Sequence, residues 1–259
     1  MGRFYLDFDG VIAHSAIECV NNAFSVWQET ENDLFNNIDS STISNAKSKI
    51  IDCCISNRYL VIPPEHYFCL IDAIFQEFLS KNKIPEDNQV PNLFFSKIQS
   101  VCPKILKTFK KNFFSLRDKK FVTLSDEDWV RENPETLFIN QFYKIIKNNS
   151  VEVIVVSRKN YMAIKKWFLG SRLPVKEIYG NEALNKYDNN KYNLIESLQL
   201  KNQKNKAFFI DDMISEFDIH NWQKINVITL QAGWGYNDLD DNTQDILEII
   251  KEHINDLSN

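Results

Sequence analysis

The chain is expected to fold as an α/β protein, with a Rossmann-like parallel sheet core interrupted near its start by an all-α insertion. Three observations point there. The second half alternates short apolar strand patterns with helical ones, the arrangement that gives a parallel sheet with helices on its faces. A lone strand pattern, Phe4-Tyr5-Leu6, meets no further strand pattern until Val151. The stretch between, from about 15 to 132, carries helical periodicity almost throughout.

Taken in order, the first element is MGRFYL, which runs strand-like into Asp7-Phe8-Asp9-Gly10-Val11. Period-2 spacing puts the Asp7 and Asp9 side chains on one side of an extended strand, where two carboxylates can share a cation or divide nucleophilic and acid–base work. Gly10 then allows a sharp turn and close approach of a ligand to the backbone. Helical patterns follow in SAIECVNNAFSVW, ISNAKSKIIDCCI, PEHYFCLIDAIFQEFL and NLFFSKIQSVCPKILKTF, with breaks around Pro63-Pro64, Pro85 and Pro91. The later strand patterns are VEVIVVS (151–157), EIYG (177–180), KAFFIDD (206–212) and KINVITL (224–230). Between them lie the helical patterns YMAIKKWFL (161–169), YNLIESLQL (192–200) and ISEFDIHNW (214–222), and DILEIIKEHI closes the domain as an amphipathic helix. The expected division is a core of 1–14 plus 133–259, with 15–132 as a helical cap. At 259 residues and 44% hydrophobic content there is ample material for such a core.

Composition narrows the function classes. The net charge of −5 gives the whole molecule no general preference for nucleic acid or anionic membrane, so no nucleic-acid partner is expected. One local exception is KILKTFKKNFFSLRDKK (104–120), with seven Lys/Arg and one acid. There Ile105, Phe109 and Phe113 recur at four-residue spacing, leaving Lys104, Lys107, Lys110 and Lys111 as a solvated face or as an attractor for an anionic partner. The five cysteines lack C-x-x-C spacing, which fits buried reduced thiols better than a disulfide framework or a zinc site, and Cys53-Cys54 falls in an apolar helical pattern. No apolar run approaches the ~20 residues that span a bilayer. The first strand starts at about Arg3 without room for a leader, and MGRFYL lacks the Ser/Thr of a myristoylation signal. A cytoplasmic setting is therefore expected, in which the sequon Asn148-Asn149-Ser150 carries no glycan.

The chemistry rests on strand ends. D-x-D-G alone also suits a calcium loop or a turn with two solvated acids, but IAHSAIECVNNAF after it offers no series of oxygen ligands with a closing Glu. A buried strand feeding the acids is instead what a site at the carboxyl edge of an α/β sheet requires. VEVIVVS ends in Ser157, followed by Arg158; the hydroxyl can donate to a phosphoryl oxygen or cap the next helix. KAFFIDD ends in Asp211 and Asp212, adjacent acids that are costly together unless solvated or bound to a cation. Magnesium suits such an all-oxygen site.

Asp7-Phe8-Asp9-Gly10, the strand ending in Ser157, a lysine before an apolar helix and the paired acids at 211–212 together resemble the four motifs of the haloacid dehalogenase-like (HAD) superfamily, in their order. The segment AGWGYN (232–237) is similar to the one after the last core strand in phosphoglycolate phosphatase-like members. The resemblance covers the core and implies a magnesium-dependent phosphatase. Asp7 would attack phosphorus, Asp9 would serve as acid and then base, and Ser157 and a motif lysine would steady the phosphoryl group with Gly10 and Arg158 close by. Asp7, the Asp9 carbonyl and Asp211/Asp212 would hold Mg²⁺, with Glu216 or Asp218 as the further acid. Lys191 fits the motif lysine by spacing, and Lys186 is the alternative, whereas Lys165 and Lys166 belong on an exposed helix face. The substrate would be a phosphorylated small molecule or a phosphoprotein. Departures are His14 where that group usually has Asp, in DGVIAHS, and an acid in place of the usual glycine before the fourth-motif acid. His14 is expected to be structural. Two other readings stay open: a phosphonate hydrolase with a cap lysine, and a HAD-scaffold binding module docking an anionic partner through its basic cap. Dehalogenation is disfavoured because that branch does not need the acid at Asp9.

Overall fold

The computed structural model describes residues 2–30, 40–147, 149–200, 206–217, 222–236 and 241–258. Asn148 of the sequon and Asp218 lie outside the described residues. The chain divides into two compact units, Met1–Ser15 with Ser125–Asn259, and Ala16–Leu124.

The first unit is built on a parallel sheet. Its strands are β1 (Gly2–Leu6), β2 (Val151–Val156), β3 (Glu177–Tyr179), β4 (Ala207–Asp211) and β5 (Val227–Gln231), in the order β3-β2-β1-β4-β5. β1 is central, with Leu6 opposite Val155 on one side and Ile210 on the other. A strand covered on both faces must be apolar at successive positions, and Phe4, Tyr5 and Leu6 are all fully buried. Phe4 stacks on Phe208 and meets the edge of Phe142, while Tyr5 faces the opposite layer with Ile154, Leu194, Ile195 and Trp222. The chain winds outward from β1 to β3 and then restarts beside β1 at β4. The crevice of such a sheet lies at the carboxyl ends of the strands flanking that switch, here β1 and β4.

Two expectations need correction in this unit. Residues 125–132, assigned to the insertion, belong to the first unit, so the boundary falls at Leu124/Ser125. The reason is a close packing contact. α6 (Asp126–Glu132) starts at Ser125, whose hydroxyl accepts from the Asp128 N–H at 3.1 Å, and packs on α8 (Tyr161–Ser171). Trp129 is buried there and donates to the Ala163 carbonyl at 3.0 Å, and a Cβ on Gly170 would sit 2.2 Å from the Asp126 carbonyl oxygen. The second correction concerns ISEFDIHNW, expected as a helix: its described residues form a 3₁₀ turn at Ile214–Glu216 and begin another at Trp222–Ile225, and 218–221 lie outside the described residues. The Glu216 carbonyl accepts from the Trp222 indole at 3.2 Å, and its side chain is engaged by Arg158, which commits this stretch to tertiary partners. The preceding helix, α7 (Leu137–Ile146), is capped by Thr136, whose hydroxyl accepts from Ile139 N–H and donates to the Val11 carbonyl at 2.7 Å. α9 (Asn181–Leu184), α10 (Lys191–Leu200) and α11 (Thr243–Ser258) complete the unit's helices among the described residues.

The second unit is helical, with α1 (Ala16–Thr30), α2 (Ser40–Ser56), α3 (His66–Lys81), α4 (Val90–Ser100) and α5 (Pro103–Thr123) among the described residues. Pro91 and Pro103 stand in the first turns of α4 and α5, where a missing N–H costs nothing. Phe24, Trp27, Phe68, Phe75, Phe94, Phe109 and Phe113 form its core. Cys53, Cys54 and Cys69 are buried free thiols, and burial pushes the Cys53 and Cys69 thiols up to about 11. On α5, Lys104, Lys107, Lys110 and Lys111 are exposed. Arg117 turns inward to the fully buried Glu18 through two 2.8 Å hydrogen bonds, and Asn22 donates to the same carboxylate. No helix among the described residues is long and apolar enough to cross a membrane.

Removing one member of a buried ion pair strands the other. Arg117→Leu is expected to lower unfolding stability by about 3 kcal/mol, read from the urea midpoint, because Glu18 loses its cation in an apolar interior. Lys104→Leu on the exposed face should leave the midpoint within ~0.5 kcal/mol.

Candidate active site

The site is built where β1, β2 and β4 end. The Asp7 N–H continues the ladder to the Ile210 carbonyl at 2.9 Å, so Asp7 stands beside the end of β4. The chain then leaves the strand direction. Ile12 and Ala13 N–H groups both return to the Phe8 carbonyl at 3.0 Å, and Gly10, at φ +81°, donates to Ala13 at 2.9 Å. Gly10 is required twice over: for that left-handed backbone, and because a Cβ there would lie 2.7 Å from an Asp212 carboxylate oxygen. Phe8 anchors the loop edge-on against Trp167 at 5.4 Å.

Asp7, Asp211 and Asp212 are buried, and a ligand oxygen from each lies within 4.8 Å of the others. Among them sits Lys191, at the start of α10 and 2% exposed, with its Nζ 2.6 Å from Asp211 Oδ2 and 2.9 Å from Asp7 Oδ1. Left-handed Asp188 and Asn189 reverse the chain just before the helix. Lys186, the alternative, is exposed on the preceding 3₁₀ turn. Asp211 Oδ1 accepts from the Met213 N–H at 3.0 Å, and Asp212 Oδ2 accepts from the Tyr236 N–H at 2.6 Å. A Cβ on Gly235 would meet the Asp212 Cβ at 2.2 Å, so the turn after β5 lies directly against this acid.

The electrostatics follow from three buried acids sharing one buried ammonium. Burial, then the neighbouring charges of Asp211 and Asp7, push the Asp212 carboxyl up to about 8. Burial likewise raises Asp7, to about 6, with Lys191 opposing and Asp211 and Asp9 adding to the rise. Burial alone would depress the Lys191 ammonium, but Asp211 and Asp7 outweigh it and hold it above the usual lysine range. An all-carboxylate donor set with surplus negative charge is one that could hold a hard divalent cation between Asp7, Asp211 and Asp212.

Asp9 goes elsewhere. β1 ends at Leu6, so the period-2 relation between Asp7 and Asp9 does not persist through the loop. The Asp9 carboxylate is outside the cluster of three. Its Oδ1 accepts from Lys159 Nζ at 2.8 Å and from the Ser15 hydroxyl, which itself lies 3.2 Å from the Tyr236 hydroxyl. Ser157 is buried just past β2, and its Oγ accepts from the Lys159 N–H at 3.3 Å. The following helix is capped instead by Asn160, which accepts from Met162 and Ala163 N–H groups. Arg158 is half exposed; it pairs with Glu216 and reaches the Asn189 carbonyl at 3.3 Å. Glu216 thus holds Arg158 and is not in the carboxylate cluster. Burial lowers the His14 imidazole's pKa, and the His14 backbone N–H bonds to the Pro134 carbonyl at 2.8 Å. Lys165 is exposed and Lys166 half-buried. Lys159, Ser15 and Tyr236 were not singled out from the sequence. Lys159 did carry a signal, lying two residues past Ser157 in the same strand-end turn.

No protein-family model matches the chain, and no curated relative matches its sequence. Solved structures do. A predicted phosphoglycolate phosphatase from Haemophilus somnus aligns over 95% of this chain and 96% of its own at 13% identity, with a TM-score of 0.50. A proposed phosphatase from Clostridium difficile aligns over 96% and 97% at 16% identity, with a TM-score of 0.51. A haloacid dehalogenase-like hydrolase from Streptococcus pneumoniae aligns over 96% and 97% at 15% identity and a TM-score of 0.47. The fold is the HAD-like one: a Rossmann-type parallel sheet whose first strand carries the paired-aspartate loop.

The raised acids give a signed pH dependence. A carboxyl whose folded pKa exceeds its unfolded value of 3.8 contributes stability that is fully present below 3.8 and lost as pH rises through the folded pKa. With Asp7 at about 6 and Asp212 at about 8, the metal-free protein should lose melting temperature between pH 4 and 8. In EDTA, Asp212→Asn should flatten that decline, and Mg²⁺ should restore wild-type stability most at the alkaline end. An equally steep decline in the variant would show that Asp212 is not its source.

Proposed function

We propose that this chain is a magnesium-dependent phosphatase that hydrolyses a phosphomonoester, of a small molecule or a phosphoprotein, through an aspartyl-phosphate on Asp7. The observation that carries the reading is Lys191, buried between Asp7 and Asp211 with Asp212 in the same cluster, at the carboxyl ends of adjacent strands. Two solved structures with this fold and TM-scores of 0.50 and 0.51 are described as phosphatases, which supports the same reaction class.

Mg²⁺, held by Asp7, Asp211, Asp212 and the Asp9 carbonyl, would supply charge neutralisation at the phosphoryl oxygens. The Asp7 carboxylate attacks phosphorus in line, and the bond to the leaving oxygen breaks. Asp9, in its protonated form, gives that oxygen its proton. Asp9, now a carboxylate, takes a proton from water as the water oxygen attacks the aspartyl-phosphate, releasing phosphate and regenerating Asp7. Lys191 donates to the phosphoryl oxygens from a position fixed by its two acids, and Ser157 supplies a hydroxyl from the neighbouring strand end. Arg158, half exposed and paired with Glu216, is the further cation available to the substrate. The presence of Asp9 favours phosphoester hydrolysis over dehalogenation, and the complete acid pair favours an enzyme over a binding module.

The decisive variant is Asp7→Asn, which keeps the shape of the side chain. Magnesium-dependent hydrolysis of p-nitrophenyl phosphate should fall by at least ~10³-fold while circular dichroism stays unchanged. Wild-type protein inert toward p-nitrophenyl phosphate and a panel of phosphosugars, nucleotides and phosphotyrosine peptides would count against the reading.

A further inference from the structure

Lys159 is the buried cation that the phosphatase reading leaves without a task. Its side chain is 6% exposed, and a lysine is held in such a position only where a partner offsets its desolvation. The partner here is Asp9, at 2.8 Å from Nζ, with the ammonium also 5.3 Å from the centre of the Phe8 ring. The lysine's own backbone is fixed from two sides. Its N–H donates to Ser157 Oγ at 3.3 Å, and its carbonyl accepts from Asn181 N–H at 3.0 Å. Ser15 donates to the same Asp9 oxygen from the other end of the loop.

Two donors meeting one carboxylate oxygen, an ammonium and a hydroxyl, treat Asp9 as an acceptor and fix its orientation. That is the arrangement a general base needs, because a base must be held toward the water it deprotonates. On the phosphatase reading, Asp9 is a base in the second half-reaction and an acid in the first. We infer that Lys159 is a positioning residue for the second half-reaction: with Ser15 it holds the Asp9 carboxylate for deprotonation of the water that hydrolyses the aspartyl-phosphate. In that step the water oxygen bonds to phosphorus, its proton passes to Asp9, and the P–O bond to Asp7 breaks with its electron pair returning to the Asp7 carboxylate. Lys159 gives up no proton and forms no bond.

The inference rests on the phosphatase reading, and it separates the two half-reactions kinetically. With p-nitrophenyl phosphate the specificity constant kcat/KM reports phosphorylation of Asp7, whereas kcat includes hydrolysis of the phosphoenzyme. Lys159→Met keeps an apolar stem over Phe8 and removes the ammonium. It should lower kcat by roughly 10²-fold, the scale expected for a misplaced catalytic group, and lower KM in parallel so that kcat/KM changes far less. Rapid mixing should then show a p-nitrophenol burst stoichiometric with enzyme, and acid quenching should trap a hydroxylamine-sensitive phosphoenzyme. Lys159→Arg should recover part of kcat and shrink the burst. Ser15→Ala, which removes the second donor, should give a weaker form of the same split and serves if Lys159→Met does not fold.

A loss confined to kcat/KM, without a burst, would mean that Lys159 serves substrate binding or phosphorylation, and would overturn the inference while leaving the phosphatase reading intact. Wild-type protein that hydrolyses no phosphoester would overturn both.

Discussion

One buried ammonium shared among three buried carboxylates is the constraint on which the rest of this site depends. Lys191 is within ion-pair distance of Asp7 and Asp211, and Asp212 lies in the same cluster, so the metal-free centre carries more negative than positive charge in a poorly hydrated place. Such a centre is unfavourable by itself, which is why Asp7 and Asp212 are both held above the ordinary carboxylate range. The fold must impose it. The β1–β4 register does so by placing Asp7 against the end of the strand that carries Asp211, over a core of Phe4, Leu6, Phe208 and Ile210. The backbone finishes the arrangement: Gly10 and Gly235 admit Asp212 where any larger residue would collide with it, and the Tyr236 N–H supplies a donor. Charge crowding of this kind is what a divalent cation would relieve, so the electrostatic cost of the cluster and its suitability for a hard metal have one cause.

The two aspartates of the loop are divided by the same geometry. Because β1 stops at Leu6 and the backbone folds back on Phe8, Asp7 is directed into the carboxylate cluster, while Asp9 is received by Lys159 and Ser15. Two acids in the low-dielectric cluster would compete for one lysine. With a lysine each, they acquire different environments, one desolvated among like charges and one partly exposed and ion-paired. Divergent environments are the usual means by which chemically identical carboxyls take separate roles.

Much of this was readable from the chain because strand ends are readable. Asp7, Ser157 and Asp211 each follow an apolar run, and a parallel sheet brings such ends to one edge whatever the intervening sequence. Lys191 could be preferred over Lys186 from its place at the head of an apolar helix. What escaped was set by partners that leave little local trace. Lys159 reads as a solvated lysine until the fold closes Phe8 and Asp9 around it. The Tyr236 N–H has no side-chain signature, although AGWGYN marked its turn. At Ile214–Glu216 the helical pattern gives way to a 3₁₀ turn whose Glu216 side chain and carbonyl are engaged by Arg158 and Trp222. Similarly, the 125–132 segment continues the helical run of the insertion in composition, and only the packing of Trp129 and Gly170 assigns it to the first unit.

Every side chain of the carboxylate cluster, together with Lys191, Lys159, Ser157 and Ser15, lies in the first unit. The second unit is held by interactions of its own, notably the aromatic core and the buried Glu18–Arg117 pair. Its sequence can therefore change without disturbing the groups that phosphoryl transfer would use, provided its own core volume and buried charge balance are kept.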